Sequence, residues 1–318
     1  MGSLVGHVLP GFGFLLIGLW QLFNHIKLHC QHPKTYKPPI WFPVPRVRHL
    51  ELYLIMFGGL ASISMELFIG PSRHQPLDPA DWTIPTNHLH NFEHSTISLS
   101  IVTYAVFALC FDRVRTNAGH TVSLLIGAAS FSMEFLLFYL HSTDHTGIEW
   151  QYHWLLQKII AVSLLTTLMG IGYPRSFAVG FTRSASVLLQ GIWFNVVGIM
   201  LYTPRFIPKG CHLESDDGFL IVPCDDHASL HRGKALVNLQ FAWSLTAVVV
   251  FSGWLYLRMA EKYPEVPEYE SLKGEEQSQE GDDDFLLESP KKIKSEDDKS
   301  GALFLSVGRS FSPMGLER

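Results

Sequence analysis

Long apolar blocks alternate with short polar loops along this chain, and each block is long enough to cross a bilayer as a helix. They occupy residues 3–24, 50–70, 88–111, 119–141, 152–173, 183–202 and 234–257. Charge is nearly absent from their middles, whereas the helices of a water-soluble bundle would carry it at helical period. The pattern predicts an all-α fold. Residues 1–258 form a seven-transmembrane-helix bundle, and 259–318 a disordered cytoplasmic C-terminal tail. The sixth block is the most polar, because Gln190 and Asn195 interrupt it. The first has no basic stretch before it and no small-residue cleavage pattern after it, so it reads as a retained span rather than a signal peptide.

The polar residues between the blocks give an orientation. Lys27, Lys34, Lys37, Arg46, Arg48, Arg113, Arg115, Arg175 and Arg183 fall in loops one, three and five; only Arg73, Arg205, Lys209 and Arg232 fall in the others. Nine cations against four place the odd loops in the cytoplasm. The N-terminus is then luminal or extracellular and the C-terminus cytoplasmic. Cys211 and Cys224 share the sixth loop on the luminal side and are candidates for a disulfide; Cys30 and Cys110 lie toward the reducing side. The lipid bilayer is the partner this composition requires. Nucleic-acid binding is excluded as a reading, since the net charge is −5 and the cations are accounted for by topology.

With that orientation the ionisable residues in and beside the blocks gather toward one leaflet. His7 opens the first block and Glu66 closes the second; His88, His90, Glu93 and His94 open the third. Glu134 and His141 lie in the fourth, His145 and Glu149 in the loop after it, His153 in the fifth, and His227 and His231 before the seventh. A carboxylate near mid-membrane costs about 2.5 to 3.5 kcal/mol on insertion scales, so Glu66 and Glu134 are expected to face inward and to meet histidines. His90 and His94 share a helix face, and imidazole with carboxylate suits zinc or iron. His94, His141 and His153 are the candidate metal ligands, with His7 a weaker one; Glu66 and Glu134 are the candidate catalytic carboxylates. A hydrogen-bond network without metal is the alternative.

The two glutamates lie in similar segments. "GLASISMELF" at 59–68 and "GAASFSMEFL" at 127–136 share the Gly, an Ala, two Ser, the Met and the Glu at a constant offset. A duplicated helical hairpin would place Glu66 and Glu134 at matching depth; chance likeness among small-residue membrane helices is the rival explanation.

Five stretches taken together resemble a known family. "GHVLPG" at 6–11, "NFEHST" at 91–96, "MEFLLFYLH" at 133–141, the His153 beyond a short acidic loop, and "LQGIWF" at 189–194 are similar, in order, to the transmembrane protein 45 family of plants and animals. The resemblance implies seven spans, residence in Golgi, endosomal or related membranes, no established molecular activity, and for plant members an association with the response to virus; the vacuolar and plasma membranes are further candidate locations. The family pattern carries over to His7, Glu66, His94, Glu134, His141 and His153. His88, His90 and His145 have no counterpart in it, and the sixth loop with its two cysteines departs from animal members.

Beyond residue 258 the chain turns acidic and poor in apolar residues, the composition of a disordered segment. "YESL" (Tyr269 to Leu272) fits a tyrosine-based sorting signal, and "DDDFLL" sets Asp282 ahead of Leu286 and Leu287 as acidic dileucine signals do, so sorting adaptors are candidate partners. Two functional classes besides a purely structural membrane partner stay open at this level. One is an intramembrane metal-dependent lipid hydrolase with Glu66 or Glu134 as general base. The other is a pH-sensing, trafficking or transport protein that uses the protonation of His and Glu.

Overall fold

The structure, a computed structural model, describes residues 3–71, 74–144, 147–216 and 219–266. Among these residues seven helices are long and apolar enough to cross a membrane: α1 (Leu4–Gln31), α2 (Leu50–Ser64, continued by a wider π turn over Met65–Ile69), α3 (Leu89–Val114), α4 (Gly119–Asp144), α5 (Gly147–Gly172), α6 (Phe177–Tyr202) and α7 (His227–Lys262). This is the expected all-α bundle. Among the described residues the β-strands form one short antiparallel hairpin between α6 and α7, β1 (Glu214–Asp216) with β2 (Phe219–Ile221), in which Ser215 faces Leu220. The acidic tail, with Tyr269, Leu272, Asp282, Leu286 and Leu287, lies outside the described residues.

Most helices outrun their apolar blocks, because helix ends are set by capping as well as by hydropathy. Ser3 caps α1 by accepting from Gly6 N at 2.9 Å, and Ser176 caps α6 by accepting from Val179 N at 3.4 Å. Two expectations are corrected in consequence. Arg183 is not a loop residue: α6 begins at Phe177 and carries Arg183 more than a turn inside. Glu149 is not in a loop either, but sits buried in the first turn of α5. At α7, Asp226 accepts from Ser229 N at 2.6 Å, and that bond holds its carboxyl below the usual carboxylate range. The cap is therefore at full strength above that range and is lost as pH falls through the lowered value.

Helix α6 is the hub, packed against α1, α5 and α7, while α2, α3, α4 and α5 follow one another as neighbours and α1 touches α2. The main core joins Leu22 and Ile26 of α1, Leu156 and Ile160 of α5, and Trp193, Val197 and Leu201 of α6. Outward faces are apolar as a lipid-facing surface requires: Phe57 is 74% exposed and Leu257 65%. Hydrogen bonds add to the packing where helices meet in an apolar medium. Tyr152 donates to Gln240 at 2.6 Å and Gln151 to Asn238 at 2.6 Å, which ties α5 to α7.

The α1–α6 contact rests on glycine. A Cβ added at Gly18 would fall 2.6 Å from Leu188 Cα, and one at Gly191 would fall 2.7 Å from Leu15 Cα. The two antiparallel backbones touch there, and no side chain larger than hydrogen fits. Gly11 on α1 and Gly198 on α6, each seven residues from its partner glycine, continue the same row.

At the end opposite the hairpin, the loop after α1 is fastened by Glu51. Its carboxylate accepts from Trp20 Nε1 (3.1 Å), Gln21 Nε2 (2.8 Å) and Phe42 N (2.8 Å), so a charge only 2% exposed has all its near donors supplied. Tyr36 of the same loop meets His25 Nδ1 at 2.6 Å, and burial pushes its hydroxyl pKa up.

Cys211 and Cys224 form a disulfide beside the hairpin, and Cys30 and Cys110 are free thiols. A loop of this size gains roughly 3 kcal/mol from closure on the chain-entropy model. Maleimide labelling of the unfolded, unreduced protein should therefore modify two thiols, and four after reduction, with a lower unfolding temperature for the reduced form. Substituting Gly191 by Leu should cost at least the 1–3 kcal/mol typical of overpacking, read as lost monodisperse protein or a lowered unfolding temperature. Gly13→Leu, where nothing lies within 4 Å of the added Cβ, should leave both unchanged.

Candidate functional site

The π turn that ends α2 brings Glu66 against α3. There its Oε2 accepts from Asn91 Nδ2 at 2.7 Å, and its Oε1 accepts from His94 Nδ1 at 3.2 Å. The same Oε1 lies 3.9 Å from the place a Cβ on Gly6 would occupy, so the first turn of α1 closes over the pair. One residue further on, His7 is buried. Its Nδ1 donates to the Ser3 carbonyl at 2.9 Å, and its ring stands 5.3 Å from Tyr202 and 5.9 Å, edge-on, from His153. His153, 2% exposed on α5, donates from Nδ1 to the Glu149 carbonyl at 2.9 Å. Phe138 of α4 neighbours both histidines, 6.2 Å from the His153 ring and 6.4 Å from that of His94. Helices α1, α2, α3, α4 and α5 thus converge at the end of the bundle that carries the disulfide.

Three imidazoles share one arrangement. The acceptors are a carboxylate and two backbone carbonyls, none of which has a proton to give, so each Nδ1 must carry the hydrogen. In a neutral ring that makes Nε2 the lone-pair nitrogen. A histidine held through Nδ1–H to a carbonyl or carboxylate is oriented as metal-bound histidines are. Among the described residues, no three His, Cys, Asp or Glu side chains already form a metal-holding group. His141 lies in the last turn of α4, and its side chain, like all of His145, falls outside the described residues.

The remaining candidates separate. Glu134 does not meet a histidine: its Oε1 accepts from Gln190 Nε2 on α6, it is 1% exposed, and its Oε2 and the Gln190 Oε1 have no hydrogen-bond partner among the described residues. His90 turns to Glu93 at 3.0 Å, whereas His94 turns to Glu66; His88 reaches the Pro76 carbonyl at 3.1 Å. His227 and His231 are exposed. The likeness of the two glutamate segments does not extend to their surroundings, since Glu66 sits on a π turn against α3 and Glu134 on a regular helix against α6. Sequence reasoning missed Asn91 and Gln190 because it looked for charged partners at matching depth. Gln190 had been marked only as an interruption of an apolar block, and a buried amide there is the signal that would have found it.

Comparison with known proteins agrees with this architecture and names no activity. Residues 120–257 match the model of a family of unknown function, DUF716. That match spans all but the first residue of α4, all of α5 and α6 and most of α7, so it takes in Glu134, His153 and Gln190 but neither His7 nor Glu66. Mouse (Mus musculus) transmembrane epididymal protein 1A is 22% identical over 237 residues, which cover 68% of this chain and 72% of that protein. The chain is similar to multi-pass membrane proteins.

The Glu134–Gln190 contact generates a test of its own. Removing one partner strands a buried polar group and costs about 1–3 kcal/mol, while replacing both by apolar groups of similar size is close to neutral. Gln190→Leu alone should lower the unfolding temperature in detergent, and the double variant Glu134→Leu, Gln190→Leu should recover most of the loss.

Proposed function

We propose that this integral membrane protein holds a zinc ion at the end of the bundle where His7, His94 and His153 converge, with Glu66 orienting His94. The observation that carries the reading is the shared arrangement of the three imidazoles, each donating from Nδ1 to an oxygen. Zinc takes such Nε2 ligands at about 2.0–2.1 Å, and a site with three protein ligands keeps a position for water. Glu66 is only 15% exposed and is held by Asn91 and His94, so it acts as a fixed negative charge beside the metal. Iron is the alternative occupant. The excess of cations in the odd loops supports placing this end at the lumen or cell exterior, with the C-terminus in the cytoplasm. The disulfide at the same end supports the same orientation. The likeness to the transmembrane protein 45 family supports an endomembrane location, and the tail signals at Tyr269–Leu272 and Asp282–Leu287 support adaptor-mediated sorting.

The test is metal content by inductively coupled plasma mass spectrometry on detergent-purified protein. The expected result is about one equivalent of zinc, lost in a His94→Ala, His153→Ala variant that still elutes as a monodisperse species. Background metal in well-folded wild type would overturn the reading. It would leave the Glu66–His94 pair as a protonation site, in keeping with a pH sensor.

A further inference from the structure

At the end of the bundle opposite the disulfide, a small half-open pocket lies between the first turns of α4 and α6, the last turn of α5 and the loop after α1. Arg183 and His120 form part of its wall, with Pro39, Gly170, Ser176 and Gly180. The guanidinium of Arg183 is half-buried, 3.6 Å from the position of a Cβ on Gly170, and lies among Tyr36, Tyr104 and Glu51. Glu51 is the one carboxylate in that group, and its near lone pairs are taken by Trp20, Gln21 and Phe42 N. Among the described residues Arg183 makes no ion pair or hydrogen bond. A guanidinium carried into a membrane helix without a direct ion pair is costly, and such residues mark ligand or ion sites.

Three independent features of the pocket have the same sign. The five N–H donors of Arg183 form a planar fork suited to carboxylate and phosphate oxygens. The N-terminus of α6 at Ser176 presents its positive helix end to the same space. Lys37, next to the lining residue Pro38, adds a cation, the His120 ring meets the Pro38 backbone, and among the described residues no carboxylate lines the pocket.

We propose that this pocket binds a phosphate monoester group, carried either by a lipid headgroup reaching in from the adjoining leaflet or by a soluble phosphate compound. Bidentate contact with Arg183 holds two of its oxygens, and the α6 end and His120 face the remainder. The site is separate from the His/Glu cluster, so its test stands whether or not zinc binds there.

The experiment uses the full chain in detergent mixed with phosphatidic acid or phosphatidylcholine, followed by native mass spectrometry for retained lipid. In parallel, the unfolding temperature is measured with and without inorganic phosphate. Wild type should retain phosphatidic acid over phosphatidylcholine, and Arg183→Gln should lose this at least tenfold while remaining folded; this outcome assigns the lipid source. Protection of wild type but not Arg183→Gln by inorganic phosphate, without lipid selectivity, assigns the soluble source. Should Arg183→Gln not fold, His120→Glu, which sets a carboxylate on the pocket wall, must show the same loss. Equal retention of both lipids with no response to phosphate overturns the proposal, as does a folded variant indistinguishable from wild type.

Discussion

The backbone contact between α1 and α6 is the constraint on which the rest of the bundle depends. Two antiparallel helices in lipid gain little from the hydrophobic effect against each other, so they hold by close packing and by hydrogen bonds. Gly18 and Gly191 supply that closeness and leave no room for a side chain between the backbones. Because the row of small residues continues to Gly198, which faces His7, the same contact sets the position of the first imidazole relative to His153 on α5. A packing device at mid-membrane thus fixes the geometry of a polar cluster at one end.

Most buried polar groups in the bundle answer the same requirement, that a donor or acceptor removed from water find a partner. Glu51 meets it with three donors, Glu66 with an amide and an imidazole, and Tyr152 with Gln240. Half-buried Arg183 makes no hydrogen bond among the described residues, and buried atoms including Glu134 Oε2, Gln190 Oε1 and Ser252 Oγ have no partner there either. The groups that are satisfied explain the fold. Those that are not are where a ligand, a proton or a water has something to do.

The spans were legible because hydropathy reports directly on the solvent a helix faces, and lipid demands apolar residues over its full thickness. Ser176 and Asp226 announced helix starts that hydropathy alone set too late, and Arg183 was misplaced in a loop because its charge was weighed without the cap ahead of it. The convergence of His7, Glu66, His94 and His153 was legible because one-sided depth in several helices implies one place in space. The Glu134–Gln190 contact was not, because a neutral amide partner leaves no charge pattern to read. The π turn that aims Glu66 was not legible either: it inserts one residue's worth of rotation, which no periodicity over so short a stretch reveals.

The arrangement of α1 across from α3 and α5 is what makes a shared metal site chemically coherent. Zinc K-edge X-ray absorption on the purified protein examines it most directly. The proposed zinc site predicts nitrogen and oxygen ligands near 2.0–2.1 Å with the outer-shell pattern of several imidazoles, diminished by one imidazole in His7→Gln. A spectrum unchanged in His7→Gln, or one dominated by sulfur, would contradict the delivery of His7 to that site by the α1–α6 contact.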